Sequence, residues 1–183
     1  LCIPWVYITM MGSDGLVQAT SDAILSANYI AARLDKAFPV LYRGTNNSVA
    51  HECILNVGEV LKGSELTIDD IAKRLMDYGL HAPTMSFPVA NTLMVEPTES
   101  ESLSEVNRFC EAMISIRREI DLVHSGVVTA EESVLRHAPH TIEDIAGDWT
   151  HPYSREEALF PVPQLRSRGY HTPVSRIDAA YGD

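Results

Sequence analysis

The sequence predicts an α+β domain whose helices pack on a small, mostly antiparallel sheet. Three observations predict it. Apolar residues recur at helical spacing in separate stretches, near residues 16–34, 68–78 and 103–120. Short runs with strand character, "PVLYRG", "VAHECILNV" and "NTLMVEP", lie between them. The chain has 183 residues, 45% hydrophobic and 21% charged, which suffices for one core plus a tail and argues against disorder.

The opening segment, "LCIPWVYITM", leaves two readings open: a strand, or the start of a helix broken near Gly12. From Gly15 to Ala37 the positions Leu16, Ala19, Ala23, Ala27, Ile30, Ala31 and Leu34 form one helical stripe, and Pro39 stops it. "PVLYRG" and "VAHECILNV" flank the turn-rich "TNNS", so residues 39–57 are expected to form a hairpin. Thr67 and Asp70 make a T-x-x-D capping box for a helix to Tyr78. Its inward residues are Ile68, Ile71, Leu75 and Tyr78, with Lys73 and Arg74 on an exposed face. Gly79 stands where a left-handed C-terminal residue is needed. "GLHAPTMSFPV" then reads as a loop stiffened by Pro83 and Pro88, followed by the strand "NTLMVEP".

Ser102 and Glu105 form a second capping box. Their helix carries Leu103, Val106, Phe109, Cys110, Met113, Ile114 and Ile120 inward and runs to His124. The character then changes. Five of the ten prolines fall after Ser125, interleaved with aromatic, Arg and His residues, with short helices expected at 141–145 and 154–159. Residues 1–124 thus read as the α+β unit with its entry helix, and 125–183 as an extended arm that wraps another surface.

Several chemistries find no footing. A net charge of −11 offers no basic face for nucleic acid. No apolar run reaches the length of a membrane span. Three scattered cysteines make a poor disulfide framework and fit a reducing compartment. "HECIL" begins like a zinc-protease motif, but Leu55 stands where the second His belongs. Pro139 interrupts "HAPH", so His137 and His140 are read as ordinary surface or loop histidines, and no metal is expected. Nucleophile-elbow, Walker and dinucleotide fingerprints are missing. Cys53 sits in a strand pattern and reads as a buried structural thiol. The acids of "EPTESESLSE" read as a helix start. Of the three lysines, Lys36, Lys62 and Lys73, none occupies the desolvated setting that a Schiff-base lysine requires.

The stretches "MMGSDGL", "AILSANYIAARL", "YRG…VAHECIL", "DIAKRLMDYGLHAPTMSFPV", "TLMVEPTESES", "HPYSREEALFPVP" and "RIDAAYGD" together resemble the C-terminal region of the glycine dehydrogenase (decarboxylating) family, the P-proteins of the glycine cleavage system. The resemblance runs almost end to end and is weakest at 56–66 and 125–136. It implies a far longer enzyme that depends on pyridoxal phosphate and has the large-domain, small-domain architecture of fold type I. That enzyme decarboxylates glycine and passes the aminomethyl group to the lipoyl arm of the H-protein. Its cofactor lysine lies upstream, so this chain holds no catalytic residue and is the small C-terminal domain with its wrapping tail. The parent is expected to be a homodimer or a two-subunit heterotetramer, cytoplasmic in a bacterium and mitochondrial in a eukaryote. Departures fall at Gln164, where the family usually has Trp, and at Tyr170–Thr172.

From the resemblance, His81, Thr84 and Ser86 are expected to line the substrate side of the cofactor cleft, with Met85 and Phe87 anchoring their loop in the core. The competing reading is that the hydroxyls satisfy backbone groups in a turn. Leu93, Met94 and Val95 occupy a strand where many aminotransferases of this fold present an Arg to the substrate carboxylate. The isolated chain is expected to be inactive and to expose an apolar face at Cys2–Met11 and along the tail. The runner-up is a non-catalytic interaction or scaffolding module of a larger assembly.

Overall fold

A computed structural model describes residues 1–182; the last residue of "RIDAAYGD", Asp183, lies outside the described residues. The opening segment is helical. Helix α1 (Cys2–Leu34) is interrupted at Gly12, whose φ of 63° and ψ of −176° only glycine adopts without strain. The two halves have different fates. Ala27, Ile30, Ala31 and Leu34 are buried in the core, while Leu1, Ile3, Trp5, Val6, Tyr7, Ile8 and Met10 are all exposed. The apolar face expected at Cys2–Met11 is therefore present. No helix among the described residues is long and apolar enough to cross a membrane.

The sheet corrects the hairpin expectation. Strand β1 (Cys53–Asn56) exists, but "PVLYRG" contributes only a single bridge, Val40 to Leu55, and is not a strand. The Gly44 and Asn47 turns and the Asn28 side chain, which bonds both backbone groups of Val49, hold residues 41–49 away from a second ladder. The true hairpin pairs β3 (Thr92–Val95), the strand expected at "NTLMVEP", with β2 (Thr84–Met85), a short strand inside the segment that the sequence suggests is a plain loop. The sheet order is β1-β3-β2, antiparallel throughout. Cys53, Leu55, Leu93 and Val95 point into the core. A fully buried side chain of this kind contributes about 1.5–3 kcal/mol over an exposed one.

Between β1 and β2 run α2 (Val57–Leu61) and α3 (Ile68–Asp77). The Thr67–Asp70 capping box is complete in both directions. Ile68, Ile71, Leu75 and Tyr78 are buried as their spacing requires. Helix α4 (Leu103–His124) begins on Ser102, whose hydroxyl accepts the Glu105 N–H. Val106, Cys110, Met113 and Ile120 are buried, whereas Leu103, in the first turn beyond the sheet's reach, is exposed.

The remaining helices are short: α5 (Val134–His137), α6 (Ile142–Ala146), α7 (Arg155–Leu159), α8 (Leu165–Arg168) and α9 (Ala179–Gly182). Thr141–Asp144 and Ser154–Glu157 form reciprocal capping boxes on α6 and α7. This arm does not leave the domain. It folds back along α3 and α4, where Arg74 donates to its carbonyls and Arg176 ties it to α3 through an ion pair with Asp70.

Candidate functional site

Helix α3 ends in a Schellman turn. The Gly79 N–H (φ 67°) donates to Met76 O at 2.9 Å and the Leu80 N–H to Leu75 O at 3.0 Å. The chain thereby reverses and sends His81 to Thr84 toward β3. There Thr84 pairs with Met94, which in turn pairs with Ile54 on β1. Thr84 and Met94 are cross-strand neighbours on one face, opposite the core face of Leu93 and Val95.

A cleft of ≈510 Å³ opens on that face. Its walls are the Gly79–Thr84 segment, Met94–Pro97, Glu101 just before α4, and the first turns of α4 through Glu105, Arg108 and Phe109. His81 and Thr84 both line it. Among the described residues, neither the His81 ring nor the Thr84 hydroxyl makes a protein hydrogen bond, so both are free to meet a ligand. Ser86 does not line this cleft. Its φ is 54° and its hydroxyl accepts the Asn91 N–H at 3.2 Å, so it closes the β2–β3 turn.

The anchoring expectation for Met85 and Phe87 fails. Both are exposed, at 38% and 59%. β2 is a two-residue edge strand, and the turn beyond it projects past the sheet, so no core surface is within reach.

A hollow of similar size, ≈490 Å³, lies between α4 and the arm beside Glu119, Glu132, Tyr153 and Glu157. Its carboxylates are committed: Glu119 to Arg74 and Tyr78, Glu132 to Thr129, Glu157 to Ser154. It borders a buried polar network that sequence reasoning placed wrongly. Arg74, expected on an exposed face, is fully buried. All five of its N–H donors are used: on Asp77, on Glu119, and on the carbonyls of Glu157 and Ala158. Burial opposes its charge, but the Glu119 and Asp77 carboxylates outweigh it and hold the guanidinium above its ordinary range.

Asp77 also accepts from the His140 ring at 2.8 Å, and His140 Nε2 lies 2.7 Å from the Tyr153 hydroxyl. Burial, with the nearby carboxylates, pushes the Tyr153 phenol up, against the opposing charge of Arg74. Tyr153 therefore stays a donor, and the proton on the ring sits at Nδ1, facing Asp77; this tautomer is assigned from the partners. His140, read as a surface or loop residue, lies in a loop but has no exposure at all. Its ring packs in a cluster with Trp149, His151 and Tyr153. A signal existed: Ile71, Arg74, Leu75 and Tyr78 share one i, i+3, i+4, i+7 stripe, so Arg74 stands on the apolar face itself.

Comparison with known proteins gives the family. Residues 19–140 match the family model described as glycine dehydrogenase, C-terminal domain. The chain belongs to that family. It is 58% identical over its whole length to glycine dehydrogenase (decarboxylating) of Nostoc punctiforme, and equally to that of a second Nostoc species. It spans 19% of the length of each of these relatives. The small α+β architecture with a three-stranded antiparallel sheet is thus that of a glycine dehydrogenase C-terminal domain, and is consistent with the small domain of a fold-type I enzyme.

Proposed function

We propose that this chain forms one wall of the substrate cleft in a pyridoxal-phosphate-dependent glycine decarboxylase, which releases CO2 from glycine and hands the aminomethyl group to the lipoyl arm of an H-protein. The observation that carries this reading is the whole-chain identity to glycine dehydrogenases. In it, residues 1–124 act as the small domain and 125–183 as its arm. The remainder of the P-protein is the principal partner.

Lys36 and Lys62 are exposed, Lys73 is half-buried, and none of them lines the cleft. The side chains here fit one side of a cofactor cleft and not its covalent anchor. When bound in the whole enzyme, pyridoxal phosphate supplies the electron sink for decarboxylation. The part assigned to this chain is orientation. His81 and Thr84 offer unpaired polar groups to the bound amino acid. Met94, half-buried between them and Ile54, presents an apolar surface where an Arg would grip the carboxylate.

The test is complementation. The chain is mixed with the separately expressed remainder of the enzyme, pyridoxal phosphate and H-protein, and CO2 release from glycine is followed. Activity only in the mixture is expected. Full activity from the remainder alone would refute the reading.

A further inference from the structure

The loop that carries His81 and Thr84 leaves the end of α3 through carbonyls that the Schellman turn does not use. Those of Tyr78 and Gly79 are taken instead by one side chain from another helix. Arg108 Nη1, on the second turn of α4, donates to Tyr78 O at 3.0 Å and to Gly79 O at 3.3 Å. The same guanidinium is held in place by Glu105, whose Oε2 accepts from Nε at 2.8 Å and lies 2.7 Å from Nη2. Four of the five donors are thereby spent, so little remains for a ligand. A cation at this point also suits the negative end of the α3 dipole. Among the described residues, Arg108 is the only Lys or Arg that lines the cleft.

We infer that Arg108 is a positioning residue for the proposed reaction: with Glu105 as its brace, it fixes the exit of α3 and so sets where His81 and Thr84 stand against the substrate. This rests on the cleft reading above. The planar fork is essential, because one nitrogen, Nη1, takes both carbonyls while Nε and Nη2 take Glu105, and the single nitrogen of a lysine cannot stand in both places. Displacing a positioned group by about 1 Å lowers turnover on the order of tenfold to a hundredfold.

The experiment uses the full-length enzyme with pyridoxal phosphate and H-protein. It measures kcat and KM for glycine in H81A, T84V, R108M, R108K and the double variant H81A/R108M, with bound cofactor quantified by absorbance in each. The expected result is that R108M and R108K both lose about tenfold or more in kcat, keep full cofactor occupancy, and that R108M adds little further loss on top of H81A. That non-additivity is what action through the same loop requires. Full activity in R108M and R108K, or losses that multiply in the double variant while H81A is itself impaired, would overturn the role of Arg108 and leave the cleft reading intact. Unimpaired H81A and T84V would instead remove the cleft reading, and this inference with it. If R108M fails to fold, R108K carries the test, since its charge and stem preserve the helix packing.

Discussion

Asp77 grips His140 twice, taking its backbone N–H at 2.7 Å and its ring Nδ1 at 2.8 Å. The same carboxylate receives Arg74 Nη1 at 2.9 Å. Three donors, one from its own helix and two from a residue 63 positions on, converge on one buried group. Asn at position 77 offers a single acceptor oxygen and turns its NH2 on the remaining donors. Asp77→Asn is therefore expected to destabilise the fold by about 1.5–3 kcal/mol, read as a shift in the urea unfolding midpoint.

Arg74→Ala has a larger effect for a different reason. It takes the cation from the buried Asp77 and the half-buried Glu119, leaving them only the His140 and Tyr78 bonds, and strips two carbonyls of the arm of their donor. A loss of about 3–5 kcal/mol is expected. A near-neutral result in the same unfolding measurement would mean that water reaches the network.

Acid should loosen the aromatic cluster through His151. Burial, then the electrostatic effect of the neighbouring His140 and His137 rings, holds its pKa below the ordinary 6.5, with Asp144 opposing. Trp149 and Tyr153 complete its surroundings. A histidine with a lowered folded pKa binds fewer protons folded than unfolded. Its contribution is complete above 6.5 and is lost as pH falls through the lower folded value. Asp144, held low by Thr141 against the effect of burial, acts in a separate window below its ordinary 3.8. Thermal unfolding between about pH 7 and about pH 5 should therefore show a falling midpoint, and His151→Gln should flatten that slope. An unchanged slope would assign the acid sensitivity to another group.

The cysteines should divide two to one. Burial pushes the Cys53 thiol up to about 12, with smaller help from Cys110 and Glu52 against Arg43. Burial likewise pushes Cys110 up to about 11. Neither offers thiolate or access, while Cys2 is exposed. An aromatic disulfide reagent should titrate one thiol per native chain and three after denaturation. Fast labelling of two or more in the native state would contradict the packing.

Met94 tests the cleft from its strand. Because it pairs with Thr84, Met94→Arg places a guanidinium beside the proposed orienting groups. In the full-length enzyme this variant is expected to lower glycine decarboxylation without productive tightening of glycine binding. An apolar setting disfavours the carboxylate relative to the charge-dispersed transition state, and a cation removes that difference. Unchanged turnover would show that position 94 does not face the reacting carboxylate.

What the sequence made legible was mostly local. Thr67 with Asp70, Thr141 and Ser154 each announce a helix start through residues within one turn, and Gly79 announces a stop by its own backbone freedom. The misplaced hairpin was not local. Whether Val40 or Thr84 pairs with the sheet depends on which neighbour β1 and β3 choose, and "PVLYRG" has strand composition without a partner edge. The buried network escaped because Arg74 depends on a carboxylate 45 residues on and carbonyls 83 and 84 residues on. At the cleft, His81 and Thr84 were visible as polar side chains in a stiff segment. Arg108 was not, since only the folded geometry brings α4 to the end of α3.

The contacts of Arg74 with main-chain oxygens at Glu157 and Ala158 set an order of events during synthesis. Residues 70–119 leave the ribosome before the arm does, so Asp70, Arg74, Asp77 and Glu119 emerge ahead of the partners that the arm supplies. Two bonds from Arg74 wait for residues 157 and 158, and one of the cations paired with Asp70 is Arg176. The polar side of this domain is thus completed late, so a nascent chain stalled before residue 157 would lack two of the acceptors of Arg74 and one of the cations of Asp70.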